Sequence, residues 1–300
     1  MLVSMKEICA VARENHFGVP ALGVNNEHSI RAAVEAAEEK NSPLILLITY
    51  GAHPDFVYFG QTAAEIAKAS FVPVATILDH GPSWDTCVWA VRAGLTDMMI
   101  DKSSKPYEEN AAEVKAAVKL AHVVGMGVEA ELGHVGSGEN YAVDGHTAFT
   151  DPDEAVKFVE ETGCDYLAVA VGTAHGVYKG KPELHFDLLQ TLRDKVSVPL
   201  VLHGGSGSGD ENITKACELG ICKVNLANDL YRGMAQGLID ADISGNGVYM
   251  AYNFLTTGYK NVAKHYMDVC KSTGKASLYN IKNPGITGKG VSEDGDVREA

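Results

Sequence analysis

Eight apolar runs recur along the chain, and amphipathic segments with helical spacing lie between them. The runs are five to eight residues long and rich in Val, Ile, Leu and Ala, which is typical of buried parallel strands. The segments between them repeat apolar residues every three or four positions and often stop at Gly or Asn, as amphipathic helices do. We expect strands at 18–24, 43–49, 72–79, 97–101, 127–133, 166–172, 198–204 and 222–227.

This regular alternation predicts an α/β fold. Strands that alternate with helices form a parallel sheet covered by helices, and eight such units match a closed (β/α)8 TIM barrel better than an open sheet. No Pro/Ser-rich linker divides the chain, so we expect a single barrel domain over residues 1–277. The Gly-rich and charged segment 278–300 predicts a tail that is extended or poorly ordered.

Composition narrows the choice of partners. The chain has 300 residues, 46% hydrophobic and 21% charged, with a formal net charge of −14. This charge disfavours nucleic acid and anionic membrane surfaces, because both would be repelled. No window approaches the roughly 18 unbroken apolar residues of a membrane span, and a signal peptide is not evident, so we expect a cytoplasmic protein. The six scattered cysteines form no CxxC pair and predict reduced, buried thiols.

Polar residues stand where the predicted strands end. The stretch VATILDHG (74–81) begins as a core strand and stops at Asp79 and His80. In (β/α)8 barrels the chemistry lies at the carboxyl ends of the strands, so these ends should share one rim. The rim residues are Asp79, His80, Asp101, Glu129, Glu131, Thr173, His175, His203 and Asn225.

Three strand-end histidines suggest a metal site. A single histidine in such a position usually has a structural or hydrogen-bonding role, but His80, His175 and His203 together match the three-histidine pattern of catalytic zinc. Nearby carboxylates would hold the imidazoles and accept protons. The stretch HGGSGSG (203–209) precedes a helix and suggests a phosphate site, with a flexible turn as the alternative.

Several motifs, in the same order, closely resemble the class II, metal-dependent ketose-bisphosphate aldolases, which cleave fructose or tagatose 1,6-bisphosphate. The resemblance covers roughly residues 1–275 and rests on LDHG (78–81), MIDKSS (99–104), VEAELGHVGSGE (128–139), AVGTAHGVYKGKPELHF (170–186), LVLHGGSGSG (200–209) and GICKVNLANDL (220–230). It implies retro-aldol cleavage between C3 and C4 of a ketose or ketose phosphate, giving a dihydroxyacetone (phosphate) half and an aldehyde. It also implies a homodimer or homotetramer.

The resemblance assigns roles to individual residues. It makes His80, His175 and His203 the Zn²⁺ ligands, with Asp101 and Glu131 lining the metal site and able to hold the ion in an alternative position. Asp79 becomes the acid/base for the C4 hydroxyl. Glu139 moves a proton on the three-carbon donor, and Asn225 orients the ketone. The donor phosphate would lie against Gly176, Gly204 and Ser206.

The chain departs from the family at both ends of the substrate. Gly23 replaces an asparagine that reaches the aldehyde half, Asn228 replaces a threonine, and Tyr50 follows Thr49 on the rim of the second strand. We take Gly23, Thr49 and Asn228 as substrate-binding candidates and expect Tyr50 and Trp84 to crowd the aldehyde side. The departures at Gly23, Tyr50 and Trp84 favour a C6 group other than phosphate, such as a sulfonate, a deoxy carbon or a hydroxyl. Asn228 leaves open that the donor half is unphosphorylated dihydroxyacetone. Alternatively, arginine or lysine from another loop or subunit preserves binding of the ordinary bisphosphate.

Three other functions compete with this interpretation. Lys223 lies two residues before Asn225 and could form the Schiff base of a class I aldolase. A metal-dependent hydrolase on this fold commonly has an HxH pair at the first strand end, which GVNN (23–26) lacks. A non-catalytic sugar-phosphate-binding protein would have little use for Asp79 and Glu139.

Overall fold

Eight parallel strands, hydrogen-bonded in chain order, close into a barrel in this computed structural model. The strands are β1 Val19–Gly23, β2 Leu44–Thr49, β3 Val74–Gly81, β4 Asp97–Ile100, β5 Gly127–Leu132, β6 Tyr166–Val169, β7 Leu200–Leu202 and β8 Ile221–Leu226. Each overlaps one of the eight predicted apolar runs, so the predicted (β/α)8 TIM barrel is confirmed. The structure describes residues 1–136, 149–180 and 182–279, together with the backbone of 289–291 and 297–299.

Helices cover the outer face of the barrel and its amino-terminal mouth. They are α1 Met5–Glu14, α2 Glu27–Lys40, α3 Phe56–Ala69, α4 Trp84–Ala93, α5 Tyr107–Val123, α6 Pro152–Thr162, α7 Phe186–Lys195, α8 Asp210–Glu218, α9 Asn228–Ile239 and α10 Ala251–Val269. Two short 3₁₀ helices span Gly245–Met250 and Lys275–Leu278. The outward-facing strand residues pack against these helices in the larger of two hydrophobic clusters.

The barrel interior is filled by side chains and closed at its lower end. Alternate residues of β2, such as Ile45 and Leu47, point inward and join a second cluster that includes Met5 and Ile8 of α1. The Met5 backbone N–H donates to Asp97, 2.8 Å away at the start of β4. Helix α1 therefore covers the amino-terminal mouth.

A distortion of β3 explains the Asp79–His80 pair. Successive strand residues normally point to opposite faces, which would put only one of the two in the barrel mouth. His80 instead has a left-handed φ of 48°, and the pairing of β3 with β4 shifts register between Leu78 and Gly81. Such an irregularity re-aims side chains. As a result, both Asp79 and His80 line the same cavity.

Three further predictions concern membrane helices, the cysteines and the C-terminal segment. None of the helices in the described ranges is long and apolar enough to cross a membrane. All six cysteines are buried and free, as expected for reduced thiols. The strands Lys289–Val291 (β9) and Val297–Glu299 (β10) pair in an antiparallel manner. The domain boundary at 277/278 and the character of residues 278–300 stay predictions.

Candidate metal centre and active site

The three strand-end histidines meet at the carboxyl-terminal mouth of the barrel. His80 is the penultimate residue of β3, His175 lies in the loop after β6, and His203 directly follows β7. Each offers a ring nitrogen within 4.8 Å of the others, and the ring centroids of His80 and His203 are 4.6 Å apart. This spacing suits one metal ion between three imidazoles.

His175 is held as a neutral imidazole. Its Nδ1 donates to the Val135 carbonyl, 3.1 Å away, which leaves Nε2 with a free lone pair. Burial, and then the nearby charges of His203 and His80, lower the pKa of His175 to about 4. The buried Nε2 has no hydrogen-bond partner within the described residues, and a buried nitrogen is rarely left unpaired without a reason. A metal ion would satisfy it.

His203 is completely buried between two carboxylates of β5. Its Nε2 lies 2.9 Å from Glu129 Oε1 and its Nδ1 lies 3.1 Å from Glu131 Oε2. Burial opposes charge on the ring, but the hydrogen bonds to Glu129 and Glu131 outweigh it and raise the pKa of His203 to about 10. A metal ion on Nδ1 would replace that proton, while the Nε2–H bond to Glu129 would keep the ring oriented.

Glu129 also pairs with Lys223 across the barrel interior. The Lys223 Nζ lies 2.8 Å from Glu129 Oε2, and both side chains are fully buried. Burial acts against the carboxylate charge, but the lysine lowers the pKa of Glu129 to about 2. An ion-paired ammonium has no lone pair for attack on a carbonyl. This geometry disfavours the Schiff-base alternative.

His80 is oriented by Asp101 at the end of β4. The His80 Nδ1–H donates to Asp101 Oδ2, 2.7 Å away, so Nε2 faces the other two histidines with its lone pair. Asp101 also accepts from the backbone and the hydroxyl of Ser103. Burial disfavours its charge, but the His80 hydrogen bond dominates together with these contacts and holds the pKa of Asp101 well below its usual range.

A cavity of about 380 Å³ opens beside the histidines. Asp79 lines it and is only 7% exposed. The Asn225 amide donates to Asp79 Oδ1, 3.0 Å away, so one carboxylate oxygen is fixed and the other is available to a substrate. The buried Asn225 Oδ1 has no partner in the described part of the chain, which leaves it as an acceptor.

Glycines form one side of this cavity. Gly204 has a left-handed φ of 67°, and a Cβ there would lie 2.3 Å from the Ala174 carbonyl oxygen, so only glycine fits. Gly176 also has a positive φ and open space where a Cβ would be. The Ser206 hydroxyl accepts from the backbone N–H groups of Ala227 and Asp229 at the start of α9. Without Cβ atoms, Gly176 and Gly204 leave room for an anion to approach the backbone of this side closely.

The opposite side of the cavity is formed near β1 and β2. Thr49 lines it in register with Asp79. Asn228, at the first position of α9, also lines the cavity but lies beside Ser206, which bonds the residues before and after it. Gly23 lies behind this wall, because a Cβ on it would meet the Ala227 Cβ at 2.9 Å and the Tyr231 hydroxyl at 3.3 Å. Tyr231 also lines the cavity; sequence analysis missed it, although it follows Asn228 by three residues in one helix.

Two sequence-based expectations on this side are not met. Tyr50 is half exposed and lines a separate cavity of about 310 Å³ with His53, Trp89 and Arg92. Trp84 begins α4 and is 43% exposed, and it is not among the described residues that line the active-site cavity. Neither side chain crowds the aldehyde side. Glu139, the remaining candidate, lies outside the described residues.

Comparisons with known proteins agree with this geometry. The sequence profile of the family "Fructose-bisphosphate aldolase class-II" matches residues 3–275. A fructose-bisphosphate aldolase of Staphylococcus aureus is 38% identical over 260 residues, covering 85% of this chain and 91% of the relative. A probable fructose-bisphosphate aldolase of Bacillus subtilis is 42% identical over 233 residues, covering 75% and 81%.

Solved structures give the same result. The crystal structure of the YdjI aldolase from Escherichia coli K12 superposes with a TM-score of 0.84 at 34% identity, covering 92% of this chain and 100% of that chain. These likenesses support metal-dependent retro-aldol cleavage of a small sugar phosphate. They favour neither a ketose with a different C6 group nor a non-catalytic sugar-phosphate-binding protein. The chain therefore belongs to the class II fructose-bisphosphate aldolase family, as its motifs predicted, and is a carbon–carbon lyase.

Proposed function

We propose that this enzyme holds one Zn²⁺ ion between His80, His175 and His203 and cleaves a ketose bisphosphate between C3 and C4. The observation that carries the proposal is the convergence of three imidazoles at one point, with the buried His175 Nε2 left without a hydrogen-bond partner in the described residues. Nitrogen ligands of this kind with an open position are typical of catalytic zinc. When bound, zinc supplies a Lewis acid that stabilises negative charge on the substrate oxygens.

Asp79 starts the cleavage. Its free carboxylate oxygen takes the proton of the C4 hydroxyl, and the C4 oxygen becomes the aldehyde carbonyl as the C3–C4 bond breaks. The electron pair of that bond moves into the dihydroxyacetone half, where a proton must be returned to C3. We assign this second proton transfer to Glu139, in keeping with the family resemblance. Asn225 keeps Asp79 in position through the 3.0 Å hydrogen bond.

The donor phosphate lies on the glycine side of the cavity. Gly176, Gly204 and Ser206 line it, and α9 begins next to them. The positive end of a helix dipole and accessible backbone N–H groups favour an anion there. The aldehyde half then extends toward Thr49 and the side of the mouth near β1. Asp101 and Glu131 lie close enough to His80 to hold the ion in a second position.

Metal analysis combined with a cleavage assay tests this proposal. Active enzyme should contain one zinc ion per chain, lose turnover with a chelator and regain it with added zinc. His203→Ala should lose both zinc and turnover. The control is His122→Ala, which alters a half-exposed histidine in the last turn of α5, at the other end of the barrel from the histidines. This variant should lose neither zinc nor turnover. Full activity in metal-free enzyme would contradict the proposal.

A homodimer or homotetramer in the cytoplasm is also part of the proposal. Large apolar side chains are exposed where α9 leads into α10, including Ile239 at 72% and Tyr249 at 82% exposure. Burial of such a patch by a second copy would remove apolar area from water. Analytical ultracentrifugation measures the state directly, and a monomer at micromolar concentration would contradict it.

A further inference from the structure

Tyr231 occupies a position that the proposed reaction does not yet use. It lies in the first turn of α9 and lines the active-site cavity. Its hydroxyl lies 3.3 Å from the point where a Gly23 Cβ would be. The absence of a side chain at the end of β1 therefore makes the space into which the phenol reaches.

The order of strands around the barrel relates Tyr231 to the substrate of the proposed function. The glycine side of the cavity follows β6 and β7, Asn225 belongs to β8, and Asp79 belongs to β3. The barrel closes β8 onto β1. Tyr231, which follows β8, and Gly23, at the end of β1, therefore lie on the part of the rim that runs from β7 through β8, β1 and β2 to β3. The proposed function puts the donor phosphate on the glycines, the C4 oxygen at Asp79 and the metal ion between the histidines of the β3, β6 and β7 ends. The side of the mouth near β8, β1 and β2 is then left for the aldehyde half.

The chemistry of this wall suits a neutral hydroxyl group. Of the described residues that line the cavity, none is a lysine or an arginine. In the same part of the chain, the Tyr231 hydroxyl makes no hydrogen bond to another residue. Burial, and then the charge of Asp79, raise the pKa of Tyr231 to about 12, so the phenol stays protonated and able to donate at neutral pH.

We propose that the Tyr231 hydroxyl hydrogen-bonds the substrate hydroxyl next to C4, which is the α-hydroxyl of the released aldehyde, and thereby helps to determine which aldehyde the enzyme accepts. This assignment rests on the proposed function. A buried site that hydrogen-bonds a substrate hydroxyl discriminates against an analogue that lacks it, since the site's polar group is then left unpaired.

Aldol condensation of dihydroxyacetone phosphate with two aldehydes tests the assignment. Glyceraldehyde carries the α-hydroxyl, and 3-hydroxypropanal lacks only that group. Tyr231→Phe should lower kcat/KM for glyceraldehyde about tenfold, as expected for the loss of one hydrogen bond, and leave 3-hydroxypropanal unchanged. An equal loss with both aldehydes, or no loss with either, would overturn the assignment.

Tyr259→Phe is the matched control. The Tyr259 hydroxyl donates to the Gly23 carbonyl at 3.0 Å and is fully buried, so it supports the same glycine without lining the cavity. This variant should have a lower melting temperature and an unchanged preference between the two aldehydes. A changed preference would show that Tyr231 is not the determinant and would overturn the assignment.

Exchange of the C3 protons of dihydroxyacetone phosphate with solvent separates this inference from the proposed function. The exchange needs the metal centre but no aldehyde, so Tyr231→Phe should keep the wild-type rate. If the zinc-loaded wild-type enzyme shows no exchange, the proposed function fails and the assignment fails with it. If exchange proceeds and only the aldehyde comparison gives the wrong result, only the assignment of Tyr231 fails.

Discussion

The two mouths of the barrel differ in how their buried polar groups are paired. At the amino-terminal mouth, Asp97 accepts from the Met5 backbone at 2.8 Å and from the Tyr166 hydroxyl at 3.0 Å, and α1 covers the opening. At the carboxyl-terminal mouth, His175 Nε2 and Asn225 Oδ1 are buried but have no partner in the described chain. The Asp97 carboxylate at the lower mouth is satisfied by the protein itself, whereas the upper mouth keeps acceptors free for a ligand.

This difference predicts which substitutions change the stability of the fold and which change catalysis. A buried polar group with a partner stabilises the fold, whereas one without a partner costs about 1–3 kcal/mol until a ligand satisfies it. Between the two mouths, the buried Glu129–Lys223 ion pair lies in the barrel interior and contacts His203, a proposed metal ligand. We therefore expect substitutions at the upper mouth to change catalysis, those at the lower mouth to change stability, and those at the ion pair to change both.

Asp79→Asn should have the largest effect on turnover. The amide cannot take the C4 proton, so cleavage should slow by about 10²–10⁴-fold, the usual contribution of one positioned acid/base. Zinc content should not change, because the three histidines remain. Steady-state cleavage rates and metal analysis on the same preparation give both quantities.

Asp85→Asn is the control for this prediction. It makes the same chemical change at an exposed position in the first turn of α4, six residues along the chain, and should leave turnover unchanged. Normal turnover in Asp79→Asn would show that this carboxylate only supports Asn225. Zinc loss in Asp79→Asn would instead place Asp79 among the groups that hold the ion.

The sequence predicts the strands and the three histidines well, for a physical reason. Apolar runs mark the strands, and the parallel barrel brings every strand end to one rim, so His80, His175 and His203 can be placed together without coordinates. The distortion of β3 that turns both Asp79 and His80 into the mouth cannot be predicted from the β-branched residues of that strand. It depends on the register between β3 and β4, which only the folded barrel fixes.

Contacts across the barrel and loop directions are the parts that sequence reasoning missed. Lys223 shares a strand face with Asn225, as expected from a period of two, but its partner Glu129 is on β5, and their meeting depends on the stagger of the closed barrel. Tyr50 follows a rim residue, yet its side chain turns into a separate cavity. Nothing in the local sequence encodes that direction.

Glu129→Gln should weaken both stability and metal binding. Removing the carboxylate leaves the Lys223 ammonium buried without its anionic partner, which costs about 3–5 kcal/mol. The amide is also a weaker acceptor for the His203 Nε2–H, so zinc affinity should fall by about 10–100-fold. Chemical unfolding and competition with a chromogenic chelator measure the two effects.

The double variant Glu129→Gln/Lys223→Met distinguishes the two effects. It removes the unpaired charge, so stability should recover toward the wild-type value, whereas zinc affinity should remain low because His203 still lacks its charged partner. Recovery of both quantities would show that Glu129 serves only to neutralise Lys223. No loss of either in the single variant would remove Glu129 from the metal centre.

Asp97→Asn should give the smallest effect, confined to stability and dependent on pH. Burial raises the pKa of Asp97 to about 6 in the folded protein, against 3.8 as the ordinary value. The folded state therefore binds the proton more tightly, and this contribution to stability is present below pH 4 and lost as the pH rises through 6. The asparagine cannot ionise. From pH 4 to pH 7.5 the variant should gain up to about 3 kcal/mol relative to wild type in the free energy of unfolding.

Urea unfolding at both pH values measures this difference, and cleavage activity at 25 °C should match wild type. If the difference in free energy of unfolding between variant and wild type does not change with pH, the hydrogen bonds from Met5 and Tyr166 keep Asp97 ionised. The lower mouth then makes no pH-dependent contribution to stability.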